Sequence, residues 1–155
     1  MPTGMMLFQP RLAVLSDLPS VEDIVWRAYS PYVDRLGRKP GPMTDDYSAL
    51  IGSSRVHVID CDGSVQAILV LIPENHAMLL DNIAVAPSAQ RRGLGRKLIE
   101  YAEKTARELG YRSIRLYTNE VMTENMDLYA QIGYLETHRG EEAGLKRVYM
   151  AKTLG

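Results

Sequence analysis

The chain has 155 residues, 46% of them hydrophobic and 24% charged, which is an ordinary globular composition and excludes a disordered, collagen-like or coiled-coil protein. Its 18 lysines and arginines nearly balance 19 aspartates and glutamates, so the net charge of −1 gives no general attraction to nucleic acid or membranes. One cysteine, no signal peptide and no apolar run long enough to span a bilayer favour a cytoplasmic protein.

The first half of the chain alternates apolar, β-branched segments with turn signals. Strands are predicted over residues 8–15, 55–60, 65–72 and 77–85. The Asp62-Gly63 pair is a typical hairpin turn between two of them. A helix is predicted over 18–29, ended by Pro31, and a shorter one over 45–51. Between these helices, two prolines and two glycines in residues 37–44 indicate a shaped loop.

The second half holds the clearest helix, predicted over residues 94–109 because its apolar residues recur on one face. A strand over 113–118 and a helix over 124–132 follow. The chain then closes with a predicted hairpin of strands 134–139 and 146–152. These elements predict one α/β domain over residues 1–155, with helices on a mixed sheet whose early strands are antiparallel because hairpins link them.

An anion site is predicted where the fourth strand gives way to the long helix. The strand ends near Val85, and Gly93 and Gly95 stand at the start of the helix. Free N–H groups and the dipole at a helix N-terminus attract anions, and glycines let a phosphate approach the backbone closely. Positive charge at the same place comes from Arg91, Arg92 and Arg96.

Three phosphate-binding motifs can be compared with this segment. The dinucleotide fingerprint needs a third glycine where Leu98 stands, and the Gly-Lys-Ser/Thr of a P-loop is absent. The segment instead resembles the pyrophosphate loop of the GNAT superfamily, the acyl-CoA-dependent N-acetyltransferases, which reads Q/R-x-x-G-x-G/A. The matching residues here are Gln90-Arg91-Arg92-Gly93-Leu94-Gly95.

Neighbouring segments carry the resemblance further. The strand before the loop ends in Asn82-Ile83-Ala84-Val85, which is similar to the family pattern. Beyond the next strand come Asn125, Tyr129 and a Gly133-Tyr134 pair at the family spacing. The similarity is strongest from residue 80 to 134 and covers nearly the whole chain, which is identified as a member of the superfamily.

The resemblance implies a GNAT-like fold in a single domain over residues 1–155. That fold has a central, mostly antiparallel sheet of six or seven strands with a splayed parallel pair, flanked by about four helices. The implied activity is acetyl transfer from acetyl-CoA to a primary amine of a small molecule or peptide, by direct attack in a ternary complex, with no metal. Many relatives dimerise, so a homodimer is consistent with the resemblance. A non-catalytic acyl-CoA sensor of the same fold is the alternative.

The resemblance also assigns site residues. Tyr129 matches the family position facing the CoA sulfur, and its phenol, neutral at pH 7, is the predicted proton donor to the departing thiolate. Asn125, one turn earlier, is predicted to bind the pantetheine arm. The splayed strand is predicted to bind the thioester and the pantetheine through the main chain of Ile83, Ala84 and Val85. The pyrophosphate is predicted to bind at Gln90, Arg91, Arg92, Gly93, Leu94, Gly95 and Arg96.

The sequence leaves open which residue is the general base and which amine is the acceptor. Asp81, just before Asn-Ile-Ala-Val, is the first candidate for a base acting through water, with Glu120 as its rival and Asp46 and His76 as outside candidates. Some family enzymes use no dedicated base. The residues that could contact the acceptor have opposite charges, so the sequence does not name the substrate. They are the cations Arg35, Arg38 and Lys39 and the acids Asp45 and Asp46.

Overall fold

The computed structural model describes residues 9–37, 39, 41–61, 63–90, 92–142 and 144–155. Within these residues lie seven strands: β1 (Arg11–Leu12), β2 (Val56–Cys61), β3 (Ser64–Pro73), β4 (Met78–Val85), β5 (Ser113–Asn119), β6 (Leu135–Glu142) and β7 (Leu145–Thr153). The same residues form four α-helices: α1 (Leu18–Leu36), α2 (Tyr47–Gly52), α3 (Leu94–Glu108) and α4 (Thr123–Ile132). Short 3-10 turns lie at Leu15–Asp17, Gly41–Thr44 and Pro87–Ala89.

The seven strands of the described part form one sheet in the order β1-β2-β3-β4-β5-β7-β6. Every neighbouring pair is antiparallel except β4 and β5, which run parallel. The predicted fold class, a mostly antiparallel mixed sheet with one parallel pair and about four helices, is confirmed. Phe8, where the first strand was predicted to begin, lies outside the described residues.

The core lies on both faces of the central strands. Residues 67–71 of β3 are all buried, and successive side chains of a strand point to opposite faces, so both faces of the sheet are covered. Helices α1 and α3 both pack against β3 and β4. Helical spacing predicts a buried stripe on α3, and four of its five residues are buried: Leu94, Leu98, Ala102 and Ala106. The prediction is wrong for the fifth, Leu109, which is exposed because the helix ends at Glu108.

Helix α1 continues past its predicted end. Pro31 lies inside the helix, which ends only where Gly37 adopts a left-handed conformation with φ of 72°. The prediction that Pro31 ends the helix is wrong because the following turn is held by α4. The Tyr32 hydroxyl donates a hydrogen bond to the Glu124 carboxylate, and Arg35 Nη1 donates to the same oxygen, Oε1, at 3.2 Å. These tertiary contacts offset the helix hydrogen bond that proline cannot make.

The parallel pair separates soon after it forms. Strands β4 and β5 pair over three residues only, and the last pair joins Leu80 to Leu116. The next residue, Asp81, is an extra residue in the pairing of β4 with β3, because Leu80 and Asn82 face consecutive residues of β3. Such a β-bulge bends a strand and increases its local twist. Beyond Asp81, the β5 side of β4 has no strand partner among the described residues, which gives the predicted splay.

Candidate active site

The gap between β4 and β5 opens into a cleft. Its walls come from β4, β5, β7, α1, α4 and the Gly41–Thr44 turn. The lining brings together Asp81, Asn125 and Tyr129, which the sequence analysis singled out from two distant segments. Asp81 lies on β4 and Tyr129 on α4, so the two predicted catalytic side chains reach the cleft from different elements.

In one direction the cleft continues along the unpaired edge of β4. A groove there is lined by residues 83–85, Asn125 and Tyr129, and reaches Gln90 and Gly95 at the start of α3. The Ile83 carbonyl accepts a hydrogen bond from the Tyr29 hydroxyl at 3.0 Å. Because the N–H and C=O of one strand residue point to the same side, the Ile83 N–H also faces the open edge. This edge offers main-chain groups to a bound molecule.

The start of α3 has the geometry of an anion site. Gly93 precedes the helix with φ of 75° and ψ of 14°, a left-handed conformation that suits glycine and costs other residues energy. A Cβ atom added at Gly95 would meet no atom within 4 Å, so space is open beside the first turn. Leu94 is buried and anchors that turn in the core, whereas Arg92 and Arg96 are exposed. Arg91 lies outside the described residues.

Tyr129 is buried on α4, and its ring lies edge-on to Tyr134 with centroids 5.9 Å apart. Burial raises the pKa of the Tyr129 phenol to about 12. Within the described ranges, its hydroxyl has no hydrogen-bond partner, so its proton is available to a ligand. Tyr134 is itself fixed because its hydroxyl donates to Glu103 at 3.1 Å, and Lys152 Nζ holds the same carboxylate at 3.0 Å.

Asp81 is half-buried at the bulge, and its Oδ1 accepts a hydrogen bond from the Tyr117 hydroxyl at 3.0 Å. Burial raises the pKa of the Asp81 carboxyl above its ordinary value, and the charge of Glu74 acts in the same direction. The Tyr117 hydrogen bond and the Arg147 charge oppose that rise without cancelling it. A carboxylate whose pKa lies closer to neutrality is a stronger base, as proton abstraction requires.

The other candidate bases lie away from the cleft. Glu120 faces the β6–β7 hairpin, where Arg139 Nη1 lies 3.9 Å from its Oε2. Asp46 caps α2, its Oδ1 accepting from the Ala49 N–H at 3.1 Å. His76 is exposed in the turn before β4. Of the four, the structure places only Asp81 in the cleft lining.

Away from α3, the cleft opens into a charged depression. Asp81 and Arg147 line this depression together with Asp45 and Lys39. Burial and the nearby Asp81 charge raise the pKa of the Asp45 carboxyl. Arg35, which the sequence analysis named among the possible contacts of the acceptor, forms an ion pair with Glu124. Arg38 lies outside the described residues.

A buried hydrogen-bond chain fixes the Gly41–Thr44 turn beside this depression. Asn82 Nδ2 donates to the Tyr47 hydroxyl at 3.0 Å, which donates to the Pro42 carbonyl at 2.5 Å. The Asn82 Oδ1 accepts from the Tyr29 hydroxyl. One buried side chain of β4 thus connects α1, α2 and the turn that forms a wall of the cleft.

Sequence reasoning missed Tyr117 and Arg147. The parallel register pairs Leu80 with Leu116, and extending it by one residue brings Asp81 beside Tyr117 on the same face. Knowledge of this register would have been enough to predict the contact. Arg147 lies diagonally across the antiparallel β5–β7 pair from Tyr117, within reach of its ring. Tyr29 was also missed, because only the tertiary structure brings α1 to the edge of β4.

Comparison with known proteins decides the family. A model of the acetyltransferase (GNAT) family matches residues 18–134, which is most of the chain. The chain belongs to the GNAT acetyltransferase family. It is an acetyl-CoA-dependent N-acetyltransferase of that family, as the sequence analysis predicted. Comparison with curated protein sequences gives no match.

Solved GNAT structures share the fold of this acetyltransferase at low sequence identity. The ribosomal-protein-S18-alanine N-acetyltransferase of Escherichia coli is 21% identical with a TM-score of 0.77, and the match covers 94% of this chain and 93% of that one. The PaiA N-acetyltransferase of Thermoplasma acidophilum, solved with coenzyme A, is 14% identical with a TM-score of 0.79, covering 94% and 98%. A GNAT acetyltransferase of Elizabethkingia anophelis with acetyl-CoA bound is 19% identical with a TM-score of 0.63, covering 74% and 85%.

No helix in the described part combines the length and apolar character needed to cross a membrane. No group of three or more His, Cys, Asp and Glu side chains that could hold a metal ion occurs among the residues described.

Proposed function

We propose that this enzyme transfers the acetyl group of acetyl-CoA directly to a primary amine in a ternary complex. The observation that carries the proposal is the single cleft that Asp81 and Tyr129 share. On one side it continues along the open edge of β4 to the start of α3, and on the other it reaches the charged depression. A base and an acid thus flank the point where the two substrates would meet.

Acetyl-CoA is proposed to bind along the groove, with its pyrophosphate and its pantetheine at different places. Its pyrophosphate suits the start of α3, where N–H groups, the helix dipole, Arg92 and Arg96 attract an anion. Its pantetheine suits the unpaired edge of residues 83–85 and the amide of Asn125. Relatives of the same fold were solved with coenzyme A or acetyl-CoA, which supports this fit.

The chemistry uses three groups of the chain. Asp81 accepts a proton from the incoming ammonium, directly or through a water, so that the neutral amine can attack the thioester carbonyl. The Ile83 N–H faces the place where the carbonyl oxygen becomes negative and is the proposed donor to it. Tyr129 then donates its proton to the departing thiolate, which resembles a cysteine thiol with a pKa of about 8.5. The proton that the acetylated nitrogen loses as the amide forms restores the Tyr129 phenol, and Asp81 releases its proton to solvent.

The acceptor is proposed to be an amine of a small molecule or a peptide. The Escherichia coli relative is named for an alanine of a ribosomal protein, whereas the acids and cations of this depression suit several amines. The test is thiol release from acetyl-CoA with a panel of polyamines, amino acids, aminoglycosides and peptide N-termini. We expect at least one class to raise the release above the rate with water alone. No response from any class would oppose the proposal.

Replacing Asp81 by asparagine should slow transfer by about 10²-fold near pH 7, the lower end of the effect of losing a general base. The loss should shrink at higher pH, where more of the amine is already neutral. Because burial raises the pKa of Asp81, its ionised form costs stability at pH 7. The variant should therefore unfold at the same temperature or higher, which thermal unfolding checks. Unchanged turnover at pH 7 would remove Asp81 from the mechanism.

We infer that residues 1–155 act as one catalytic domain, because one sheet takes strands from both ends of the described chain. The low cysteine content favours the cytoplasm.

We also propose a homodimer, for which light scattering at micromolar concentration should give about twice the chain mass of 17.4 kDa. The edge strand β6 is exposed, charged and interrupted by a bulge, and these features oppose edge-to-edge pairing, so the proposed dimer would form through another surface. A particle of one chain mass would exclude the dimer.

A further inference from the structure

The Asp81 carboxylate does not stand alone in the cleft. The Tyr117 hydroxyl donates to its Oδ1 at 3.0 Å, across the point where β4 and β5 separate. Above the ring of Tyr117 lies the Arg147 guanidinium, with its central carbon 4.2 Å from the ring centroid. A cation over an aromatic face is attracted by the ring. The three residues come from β4, β5 and β7, so they meet only in the folded sheet.

Arg147 is held in this position from its outer side. Its Nη1 donates to Glu142 Oε2 at 2.7 Å, and 19% of its side chain is exposed compared with 65% for Glu142. The guanidinium is therefore fixed between an exposed carboxylate and the face of the Tyr117 ring. Two planar groups in contact restrict each other, so the arrangement limits the rotation of the Tyr117 side chain.

We propose that Tyr117 and Arg147 are positioning residues for Asp81 in acetyl transfer. Tyr117 fixes Oδ1 of the carboxylate and thereby orients Oδ2 to receive the proton of the amine, while Arg147 keeps the Tyr117 ring in place. Oδ2 has no hydrogen-bond partner among the residues described, so it is available for that proton. The inference rests on the proposed role of Asp81 as the base.

Other charged and titratable groups also face Asp81 and enter its pH dependence. They are Glu74 from the turn before β4, Tyr29 of α1, Asp45 and Tyr47 near the depression, and Arg147 itself. The Tyr117 bond favours the ionised carboxylate and so lowers the pKa of Asp81. Removing the bond should raise the pKa further, and a higher pH would be needed to ionise the base.

The test compares Tyr117→Phe with Tyr101→Phe. The Tyr101 hydroxyl contacts His57 Nδ1 at 2.9 Å, so this control removes a phenol hydroxyl away from Asp81. Two quantities are measured for each variant: the pH dependence of kcat at saturating substrates and the midpoint of the Asp81 carboxyl titration by carbon NMR. The NMR signal is assigned by its loss in Asp81→Asn, and it needs no substrate.

We expect Tyr117→Phe to raise the NMR midpoint by about one pH unit, the scale of one hydrogen bond to a charged group, and to move the acidic limb of kcat upward by a similar amount. Arg147→Lys, which keeps the positive charge but loses the planar contact with the Tyr117 ring, should move both in the same direction by less. Tyr101→Phe should leave both unchanged. A purely structural role for Tyr117 would lower activity or stability without moving the midpoint.

The outcomes separate this inference from the proposed function. If Asp81→Asn removes the acidic limb but Tyr117→Phe leaves midpoint and limb unchanged, the positioning role is overturned and the base stands. A midpoint that moves while the limb stays in place overturns both the positioning role and Asp81 as the base. If Tyr117→Phe does not fold, Arg147→Lys carries the test, because it keeps the charge near Asp81, and an unmoved midpoint in that variant overturns the inference.

Discussion

Replacing Tyr129 by phenylalanine should slow acetyl transfer by about 10²-fold or more at saturating acetyl-CoA, the usual effect of losing a positioned acid. The substitution keeps the buried ring and its edge-on contact with Tyr134 but removes the proton donor. Affinity for acetyl-CoA should change little, because the hydroxyl acts mainly once the thioester breaks. Single-turnover transfer with saturating acetyl-CoA measures the chemical step directly.

The pH dependence of this loss follows from burial. A phenol with a pKa of about 12 stays protonated through the working range of an enzyme, so the wild type keeps its donor at alkaline pH. The ratio of wild-type to Tyr129→Phe rates should therefore stay nearly constant up to about pH 10, two units below that pKa. Tyr101→Phe is the matched control, because the Tyr101 hydroxyl contacts His57 Nδ1 at 2.9 Å outside the cleft. A Tyr129→Phe rate within about threefold of the wild type would remove Tyr129 from the mechanism.

Replacing Gly95 by glutamate should abolish the stabilisation of the folded enzyme by acetyl-CoA. A side chain at Gly95 would enter open space in the first turn of α3, and its negative charge would occupy the proposed pyrophosphate site. At 100 times its Kd, acetyl-CoA should stabilise the wild type by about 2.7 kcal/mol, whereas the variant should gain none. Thermal unfolding with and without acetyl-CoA gives the comparison, and NAD and ATP should protect much less.

The loss of stabilisation by acetyl-CoA in Gly95→Glu should not result from a defect in folding. Gly95 has ordinary helical backbone, and glutamate favours a helix more than glycine by several tenths of a kcal/mol, so the variant should be at least as stable without ligand. Gly93 is a poorer choice, because its φ of 75° would strain any side chain. Gly52→Glu is the matched control: it adds the same charge in open space at the end of α2. If acetyl-CoA stabilises Gly95→Glu as much as the wild type, the pyrophosphate does not bind at the start of α3.

The sequence predicts well those features that depend on neighbouring residues. The bounds of α3 and its loop, and of most strands, follow from local patterns of apolar residues, glycines and turns. The end of α1 does not, because the contact that carries the helix past Pro31 joins Arg35 to a residue 89 positions away. The Tyr117 contact to Asp81 spans 36 positions and exists only when two strands take a particular parallel register. The family resemblance predicted several of the residues that line the cleft. Tyr117 and Arg147, which are proposed to position the base, could be identified only from the folded structure.

The extra residue of β4 has a consequence for how such a sequence can change over evolution. Residues 83–85 are proposed to act through their main chain, so their side chains can vary within the limits of packing. The length of the strand cannot vary in the same way, because loss of residue 81 would restore regular pairing with β3. Without the bend, the strand could continue beside β5 and close the cleft. Substitutions in this strand should therefore be tolerated far more often than insertions or deletions.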